Sequence, residues 1–591
     1  MKFIQFADYL SKLENLSSRN DMTALLAELI KSLQEDEVKD AIYLLQGRVA
    51  PLYLPIEFAF SDKMIVRALA RYTNKSDLEV NTALQKAGDI GTVVDLLITN
   101  NQTSYDISQV VSKLQQIAGV SGKNSQTFKE QFYLEMIGGS SNDEIKFINR
   151  VLTGNLRLGL STKTIFDAIS WSLVGDKSLR DKIERAYGVR TDLGSIAEYI
   201  FKNGIDSLDG LNVQPGTPVA PKLVEREKNV ATIFARIPDA IIQPKLDGLR
   251  IHIHYNKLGF ARNEIVTEMT LFSRGNNDLE QVRLFSRNLE SLTNMFPEIV
   301  ADIKKFNVDS LIIDGEAIGI DRDTGAFLAF QETIKRKRKT NIDSMQDSHP
   351  IKVFAFDILE LNGRDLLHET TSERLQILQK ILEESGSDKI LFTQSQRVYS
   401  AKEIEDLFQK YVAEGYEGII IKQPDSFYLP GTRNYDWIKL KAASVAGLAD
   451  TIEGVVLGYY YGAGVRTKFG IGALLMGSYD SEHDRFVSLA KVGTGFKDAD
   501  WPIIKDRLDS LRVTSLPSNV KVLDSLLPDV LVRPEVVIEV QADMVTRSKM
   551  HGGMDGYSLR FPRLKFFGRD KKAEDCTSIS EIKHLFELQN N

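Results

Sequence analysis

The sequence contains a single cysteine, Cys576, among 591 residues. One thiol cannot form an intramolecular disulfide, and it cannot supply a zinc site that needs several cysteines. Scarcity of cysteine is typical of proteins that work in a reducing compartment, so we expect a cytoplasmic protein.

The chain also lacks a long hydrophobic run. No stretch reaches the roughly 18 consecutive apolar residues that a membrane-spanning helix needs. The N-terminus, "MKFIQFADYLSKLENL", has neither the apolar core nor the small-residue cleavage site of a signal peptide. The sequence therefore predicts a protein that is neither secreted nor inserted in a membrane.

An excess of positive charge is missing as well. The formal net charge is -7, which argues against a protein that binds polyanions over its whole surface but leaves a local basic groove open. The hydrophobic fraction of 43% and the charged fraction of 26% are those of an ordinary soluble protein. A chain of this length is expected to form about three domains.

Three compositional regimes divide the chain. In residues 1–215 apolar positions recur at helical spacing, as in "MTALLAELIKSLQ", which predicts an all-α domain. Residues 216–443 alternate short β-rich runs with polar helices and follow a proline-containing linker, which predicts an α+β domain. Residues 444–591 contain strands separated by glycine turns and end in a helix, which predicts a small β-barrel.

The stretch "IIQPKLDGLR" places a lysine, Lys245, at the end of an apolar strand and before an Asp-Gly turn. An unpaired buried ammonium is costly, so Lys245 either points to water or serves as an amine whose pKa is adjusted. Arg250, His252 and His254 share one face of the strand that follows. The two histidines fit either a polar strand face or a pair of metal ligands.

Other strands carry charges of both signs in the same alternating way. Asp314 and Glu316 share a face in "LIIDGEAIGI", "EGIIIK" carries Glu417 and Lys422, and "WIKLK" carries two lysines. Each of these segments alone fits a turn or a solvent-exposed face. Together they suit a polyphosphate bound with Mg2+, because carboxylates bind the ion and cations neutralise phosphate oxygens. Neighbouring cations would then lower the pKa of Lys245 and make it a nucleophile.

The order of these motifs resembles that of a known family. "KLDGLR", a Ser-Arg element, "DGE", "FDILELNG", "EGIIIK", "WIKLK" and "RFPR" are similar to the successive motifs of the covalent nucleotidyltransferases, and specifically of archaeal and eukaryotic ATP-dependent DNA ligases. "LLQGRVAPLY" and "LTGNLRLGLSTKTIFDAI" are similar to the helical DNA-binding domain of that family. The resemblance implies a DNA-binding domain in 1–215, an adenylation domain in 216–443 and an OB-fold in 444–591.

The resemblance also implies a three-step reaction on nicked double-stranded DNA. Lys245 attacks the α-phosphate of ATP and expels pyrophosphate, AMP passes to the 5′-phosphate of the nick, and the 3′-hydroxyl displaces AMP. ATP and Mg2+ are the implied cofactors, and a monomer that serves DNA replication, repair and recombination is the implied form.

Individual residues match the motifs of the family. Lys245 matches the lysine that carries AMP, and Glu316 and Glu417 match its metal-binding carboxylates. Phe356 matches a ring that stacks on adenine, although "VFAF" is equally typical of a core strand. The implied nucleotide contacts are Gln243, Arg250, Arg287, Glu316, Phe356, Lys422, Arg433, Lys439 and Lys441.

Two segments are candidates for contact with the DNA backbone. "GLSTKT" offers Ser161 and Thr162 at a helix N-terminus, a natural cradle for phosphate, and Arg157 lies just ahead of it. The basic run "KRKRK" contains Lys335 and Arg336 and fits either a DNA-binding surface or a solvated helix face.

A third segment, "QTFKEQFY" at 126–133, resembles a peptide that binds a sliding clamp. Lys129 stands where an apolar residue belongs. The resemblance makes a sliding clamp a candidate partner.

The chain departs from the family pattern in three places. Gln243 stands where relatives carry glutamate, so we expect weaker selection of adenine. "LFSR" occurs twice, which leaves Arg274 and Arg287 as rival matches, and the sequence that follows favours Arg287. In the final motif, "RFPRLKFFGRDK", two expected arginines are replaced. The resemblance still implies that Arg569, Asp570 and Lys571 orient pyrophosphate.

Other classes of protein remain as alternatives. A GTP-using capping enzyme shares the lysine motif but does not need a helical DNA-binding domain. An NAD-dependent ligase is expected to carry a four-cysteine zinc module, which one cysteine excludes. An RNA ligase, or a non-catalytic DNA-binding scaffold with a degenerate transferase fold, stays open.

Overall fold

The computed structural model describes residues 1–590 apart from 17, 55, 88, 99–104, 123, 155, 261–280, 323, 329, 335, 337–348, 442–450, 463–465, 467–468, 543, 548–555 and 561. The chain forms two compact units. The first contains 1–49, 57–180 and 448–591, and the second contains 50–56 and 181–447. No helix in the described ranges is long and apolar enough to cross a membrane.

The helical part of the first unit confirms the all-α prediction. Its helices are α1 Phe3–Glu14, α2 Arg19–Ser32, α3 Val38–Leu45, α4 Asp62–Thr73, α5 Asp77–Ala87, α6 Val94–Leu97, α7 Ile107–Gly119, α8 Ser125–Gly138, α9 Asn142–Leu152 and α10 Thr162–Val174. Side chains cap several of them. Ser161 accepts a hydrogen bond from the Thr164 N–H at 3.2 Å at the start of α10, and Gly175 ends that helix with a φ of 85°.

The C-terminal part of the first unit is an OB-like sheet domain. The strands of its main sheet run in the order Arg512–Val513, Val530–Val532, Thr451–Tyr460, Ala473–Asp480, Arg485–Val492 and Val520–Lys521, and Val537–Gln541 joins Thr451–Tyr460 to Arg563–Arg569. Helices Asp500–Asp509 and Ile579–Asn590 accompany the sheet. The strands are β12 Thr451–Tyr460, β13 Ala473–Asp480, β14 Arg485–Val492, β15 Arg512–Val513, β16 Val520–Lys521, β17 Val530–Val532, β18 Val537–Gln541, β19 Met544–Arg547, β20 Tyr557–Arg560 and β21 Arg563–Arg569.

The second unit is the α+β domain that the sequence predicts. Its strands are β1 Leu223–Arg226, β2 Ala240–Lys245, β3 Leu249–Asn256, β4 Val282–Ser286, β5 Ser310–Gly319, β6 Ile351–Leu361, β7 Arg364–Asp365, β8 Ile390–Phe392, β9 Gln396–Val398, β10 Gly418–Lys422 and β11 Arg433–Lys441. Its helices are α11 Arg180–Val189, α12 Leu193–Asn203, α13 Val230–Arg236, Pro297–Ile303, Phe330–Ile334, Thr371–Ser385 and Ala401–Ala413.

Two sheets organise this unit. One has the order β1-β11-β10-β2-β9, and the other has the order β4-β3-β5-β6-β7 with β8 beside β6. Alternation along each strand places isoleucine and leucine on one face, where they are buried. The polar residues of the same strands consequently share the opposite face.

Residues 181–215 differ from the predicted domain boundary. They pack with the α+β domain rather than with α1 to α10. The Ala220 N–H donates to the Gly188 carbonyl at 2.8 Å, and the Val213 N–H donates to the Asp365 carboxylate at 2.9 Å. These bonds tie α11 and the segment after α12 to the second unit, so the helical domain ends near residue 180.

Candidate functional site

Lys245 stands at the end of β2, on the polar face of the first sheet. In the ladder of β2, β10 and β11 it lies opposite Gly418, which lies opposite Lys441. Gly418 is required because its φ is 151° and an added Cβ would lie 2.1 Å from the Leu440 carbonyl oxygen. This close approach of β10 to β11 brings Glu417 beside both lysines.

Glu417 bridges the two amines. The Lys245 ammonium pairs with one carboxylate oxygen of Glu417, and Lys441 Nζ lies 2.6 Å from the other. Burial alone would raise the pKa of Glu417, but the two lysines outweigh it and hold that pKa well below its usual range.

The pKa of Lys245 corrects one expectation from the sequence. Burial works to lower this pKa, but the carboxylates of Glu417, Glu316 and Asp247 together outweigh burial and raise it. Carboxylates, rather than cations, dominate the surroundings of the amine in this state. Lys245 is therefore held as an ammonium, and it could act as a nucleophile only after its contact with Glu417 is loosened.

The second sheet contributes Arg250 and Asp314 from neighbouring strands. Arg250 donates two hydrogen bonds to Asp314, from Nε to Oδ1 at 3.0 Å and from Nη2 to Oδ2 at 2.6 Å. The Tyr428 hydroxyl donates to the same carboxylate at 3.0 Å. Burial disfavours the charge on Asp314, but Arg250 and His252 together outweigh burial and lower the pKa of Asp314 far below its usual value. Arg250 is thus locked in place, with no tendency to lose its charge.

Glu316 differs from Asp314 because its pKa is raised rather than lowered. Burial raises its pKa to about 7, although Lys245 favours the charged form. The Gly248 N–H donates to Glu316 Oε1 at 3.2 Å. Gly248 is required there, because a Cβ would lie 2.5 Å from the Ala317 carbonyl oxygen. The "KLDG" turn therefore lies directly against β5 and places Glu316 near Lys245.

Phe356 and Lys422 connect the two sheets. Lys422 Nζ donates to the Phe356 carbonyl oxygen at 2.8 Å and lies 3.9 Å from the centroid of the Trp437 ring. Burial lowers the pKa of Lys422 to about 7. The half-buried Phe356 ring has the guanidinium of Arg250 at 5.5 Å and the Trp437 ring edge-on at 6.3 Å. Its stacking on a base stays a prediction.

The lowered pKa of Lys422 predicts that this residue costs stability. Below about pH 7 the folded and unfolded chains both carry the charge, so burial costs its full amount. Between pH 7 and 10.5 only the unfolded chain keeps the proton, and the cost declines as pH rises. We expect Lys422→Met to raise the free energy of unfolding by about 2 kcal/mol at pH 6 and by less at pH 9.

Denaturant unfolding at the two pH values measures this effect. Asp357, the carboxylate near Lys422, keeps its bonds from Arg374 Nε at 2.7 Å and Nη2 at 3.1 Å in the variant. Lys402→Met, on the exposed face of helix Ala401–Ala413, is the control and should change little. A Lys422→Met variant that is less stable than the parent at pH 6 contradicts this account.

Gln243 lies two residues before Lys245 on the same face of β2. It is only 2% exposed. Its side-chain Nε2 donates to Ser395 Oγ at 2.8 Å. This bond joins β2 to the loop between the two sheets, and the space between the sheets at this point is called the cleft below.

The remaining predicted nucleotide contacts lie on β11 or directly after β4. Arg287 directly follows β4, which pairs with β3 through Ser286 and Ile251. Arg433 begins β11, and Lys439 stands two residues before Lys441 on its polar face. Arg274, the rival of Arg287, lies outside the described residues.

The predicted DNA contacts near α10 are engaged by other parts of the first unit. Arg157 Nε lies 3.2 Å from Asp89 Oδ1. The Ser161 hydroxyl donates to the carboxylate of Asp484, in the turn between β13 and β14. Thr162, the first residue of α10, is half-buried. A carboxylate thus occupies the position where a phosphate was expected.

The basic run is the clearest correction. Lys335 lies outside the described residues. Arg336 is buried, and its guanidinium pairs with Glu298 and donates to the Met295 carbonyl at 3.3 Å. A side chain enclosed in this way cannot reach a DNA backbone, so the prediction for Arg336 was wrong. The charge run suggested solvent or DNA, but the partner is a buried carboxylate from a distant helix.

The segment 126–133, which resembles a clamp-binding peptide, is part of a helix. It lies within α8, where Tyr133 is fully buried and donates to Asn149 Oδ1 at 2.7 Å. Lys129 Nζ donates to the Phe58 carbonyl oxygen at 2.5 Å. Gln126, Thr127, Phe128 and Gln131 of the same segment are exposed, so binding of a sliding clamp stays a prediction.

The final motif lies at the end of β21. Arg569 Nε is 3.3 Å from Glu453 Oε1, and its Nη2 is 3.1 Å from Glu539 Oε2. Lys571 also pairs with Glu453, and Asp570 lies between the two cations. Glu453 and Glu539 are directly opposite on β12 and β18, where like charges repel unless a cation lies between them. The two cations compensate this acidic pair.

Two residues of the site escaped the sequence analysis. Lys222 is fully buried, with Nζ at 3.0 Å from both the Asp436 carboxylate and the Phe427 carbonyl oxygen. Its own carbonyl accepts from Arg250 Nη1 at 2.8 Å. Tyr428 links Lys222 and Asp314. A lysine directly after the linker prolines was the available signal for Lys222, but Tyr428 had no local signature.

Family models match most of the chain. The model described as DNA ligase N terminus matches residues 2–170, the ATP dependent DNA ligase domain matches 221–441, and the ATP dependent DNA ligase C terminal region matches 467–571.

Curated relatives match the chain from end to end. A probable DNA ligase of Dictyoglomus turgidum is 39% identical over 100% of this chain and 98% of its own length. DNA ligase 2 of Thermofilum pendens is 33% identical over 99% and 97%. DNA ligase 1 of Methanosarcina mazei is 32% identical over 99% of each chain. These matches and the arrangement around Lys245 agree, and the chain belongs to the ATP-dependent DNA ligase family.

Proposed function

We propose that this chain seals nicks between a 5′-phosphate and a 3′-hydroxyl in duplex DNA through a covalent AMP on Lys245. The observation that carries the proposal is the convergence of Lys245, Glu417 and Lys441 at one end of a cleft, with Arg250 and Glu316 on the facing sheet. A nucleophilic amine, carboxylates and fixed cations are the groups that phosphoryl-type transfer needs.

In the first step Lys245 Nζ attacks the α-phosphorus of ATP, and the bond from that phosphorus to the bridging oxygen of pyrophosphate breaks. Lys245 must first give up a proton, and Glu417 is the carboxylate in contact with it. Lys422, Lys439 and Lys441 are proposed to neutralise the α-phosphate, and Arg250, Arg287 and Arg433 to hold the rest of the nucleotide. Phe356 is proposed to stack on adenine, and Gln243 to accept from its amino group.

Glu316 and Glu417 fit a Mg2+ ion. Mg2+ in nucleotide sites commonly uses one or two protein carboxylates and completes its shell with water and phosphate oxygens. No cluster of three or more candidate ligands occurs among the described residues, which is compatible with this sparse mode. Such an ion would neutralise phosphate charge, and its pull on Glu417 would weaken the hold of that carboxylate on Lys245.

The helical domain is proposed to hold the DNA backbone at the start of α10. Ser161, Thr162 and Arg157 supply hydroxyls, backbone N–H groups and charge there. A phosphate at this position must replace the Asp484 carboxylate that now bonds Ser161. Arg569, Asp570 and Lys571 are proposed to orient pyrophosphate, which requires the cations to leave Glu453. Monomeric action in the cytoplasm stays a prediction.

A single set of reactions tests the proposal against its alternatives. The protein is incubated with Mg2+ and one labelled nucleotide, which is ATP, GTP or NAD. Each reaction also contains either a labelled nicked DNA duplex or a nicked RNA. We expect covalent labelling and nick closure with ATP and DNA. If GTP is the only nucleotide that labels the protein, the chain is a capping enzyme. If only the RNA nick is closed, it is an RNA ligase. If the protein binds DNA but no nucleotide labels it, it is a scaffold.

A further inference from the structure

A short loop, Thr393 to Ser395, crosses between the two sheets at the cleft. It begins where β8 ends, and the Thr393 N–H donates to the Ala355 carbonyl of β6 at 2.8 Å. It ends where β9 begins, and Gln396 there lies opposite Ile242 of β2. This path places Ser395 between the strand of Phe356 and the strand of Lys245, beside Gln243.

A chain of hydrogen bonds fixes how the Gln243 amide is turned. The Ser395 hydroxyl donates to the Thr393 carbonyl oxygen at 3.0 Å. A carbonyl oxygen can only accept, so the single hydroxyl proton is already used. Ser395 Oγ can therefore only accept from Gln243, and the Gln243 NH2 group must face it, as the 2.8 Å contact requires. The Gln243 carbonyl oxygen is left for the cleft, where it accepts no hydrogen bond within the described part of the chain.

We propose that Ser395 is a positioning residue for base selection, which acts by holding Gln243 with its carbonyl oxygen toward the nucleotide. The inference rests on the proposed function, since it takes the cleft face of β2 as the base subsite. Adenine presents an amino donor at position 6, whereas hypoxanthine and guanine present a carbonyl acceptor. An oriented amide oxygen pairs with the first and repels the other two.

This arrangement removes an ambiguity that a glutamine has and a glutamate lacks. A carboxylate has two equivalent oxygens and presents an acceptor whichever way it turns. A glutamine amide presents an acceptor in one orientation and a donor in the other. Without Ser395, the amide can turn its NH2 group to the cleft and donate a hydrogen bond to the carbonyl oxygen of the wrong base.

The test compares ATP with ITP, which carries hypoxanthine, as donors for covalent labelling. Initial labelling rates give the ratio of the two apparent second-order rate constants for each variant. Ser395→Ala should lower the ATP:ITP ratio about tenfold, the scale of one hydrogen bond, mainly through weaker apparent ATP affinity. Ser395→Thr should restore the ratio. Thr393→Val keeps the carbonyl that Ser395 uses and should leave the ratio unchanged.

A second background separates orientation from simple structural support. In Gln243→Glu protein, Ser395→Ala should change the ratio less than about twofold, because a carboxylate needs no orientation. Equal loss of selectivity in both backgrounds, or no loss in either, overturns the inference. If the alanine variant does not fold, Ser395→Cys, a poorer acceptor, should move the ratio in the same direction. Absence of labelling of the unaltered protein by ATP instead defeats the proposed function, independently of Ser395.

Discussion

Replacement of Lys245 by alanine is expected to abolish covalent labelling by ATP, a loss of about 10⁴-fold or more. The reason is chemical, since no other atom at the end of β2 replaces the attacking amine. Labelling is measured with radioactive ATP and Mg2+ on a denaturing gel. Lys245→Arg is the stricter variant, because its guanidinium keeps the ion pair with Glu417 but is not a nucleophile.

Lys441 is a second amine in the structure to which AMP could become attached. Both Lys441 and Lys245 contact Glu417, so an amine close to the reacting atoms would remain in either variant. Mapping the labelled peptide decides between them, and we expect AMP on the peptide that contains Lys245. Lys402→Ala, at an exposed helix position, is the control for any effect of losing a lysine away from the site. AMP found on Lys441, or normal labelling of Lys245→Arg, contradicts the assignment.

The second large effect concerns Arg569 and Lys571. Removing both cations, as Arg569→Ala with Lys571→Ala, is expected to slow self-adenylation by about two to three orders of magnitude. Closure of a nick that already carries AMP should stay near normal, because pyrophosphate plays no part in it. The two reactions are measured on the same preparations at fixed salt.

The pairing of these cations with Glu453 and Glu539 requires a matched control. Without the cations the two glutamates face each other across neighbouring strands, which destabilises the sheet by itself. Glu453→Gln added to the double variant relieves that repulsion. If the triple variant labels as fast as the unaltered protein, the cations serve only to stabilise the sheet, and another group orients pyrophosphate.

Glu453→Gln alone is expected to speed self-adenylation rather than slow it. It weakens the hold of the OB-like domain on Arg569 and Lys571.

Strand alternation allowed much of the site to be predicted from the sequence. A period of two fixes Gln243 and Lys245 on one face of β2, and it does the same for Lys439 and Lys441 on β11. The motifs also matched the observed strands, and the composition of each third matched its class of secondary structure. These are local properties, which a sequence expresses directly.

Partners across the fold could not be predicted in the same way. The sequence showed that Arg336 is charged but not that Glu298, 38 residues earlier, encloses it. It suggested that cations act on the pKa of Lys245, whereas burial lowers that pKa and carboxylates, Glu417 first among them, raise it. It placed Ser161 at a helix start but did not show Asp484, 323 residues later, against its hydroxyl. Each of these partners is distant in sequence, and its position depends on how strands and loops meet in space.

The same distinction explains the domain boundary. Residues 181–215 have helical periodicity, so composition joined them to the first domain. Their hydrogen bonds to Ala220 and Asp365 join them to the α+β domain instead. Periodicity reports the type of an element, and only packing reports the unit to which it belongs.

The central claim is that AMP on Lys245 is an intermediate of nick closure, and a pulse-chase experiment tests it most directly. The protein is labelled with radioactive ATP, freed of nucleotide, and mixed with nicked duplex DNA and Mg2+ without ATP. We expect the label to leave Lys245, appear on the 5′-phosphate of the nick, and then be released as AMP in step with closure. Closure while the label stays on the protein, or loss of label as free AMP with the nick still open, contradicts the claim.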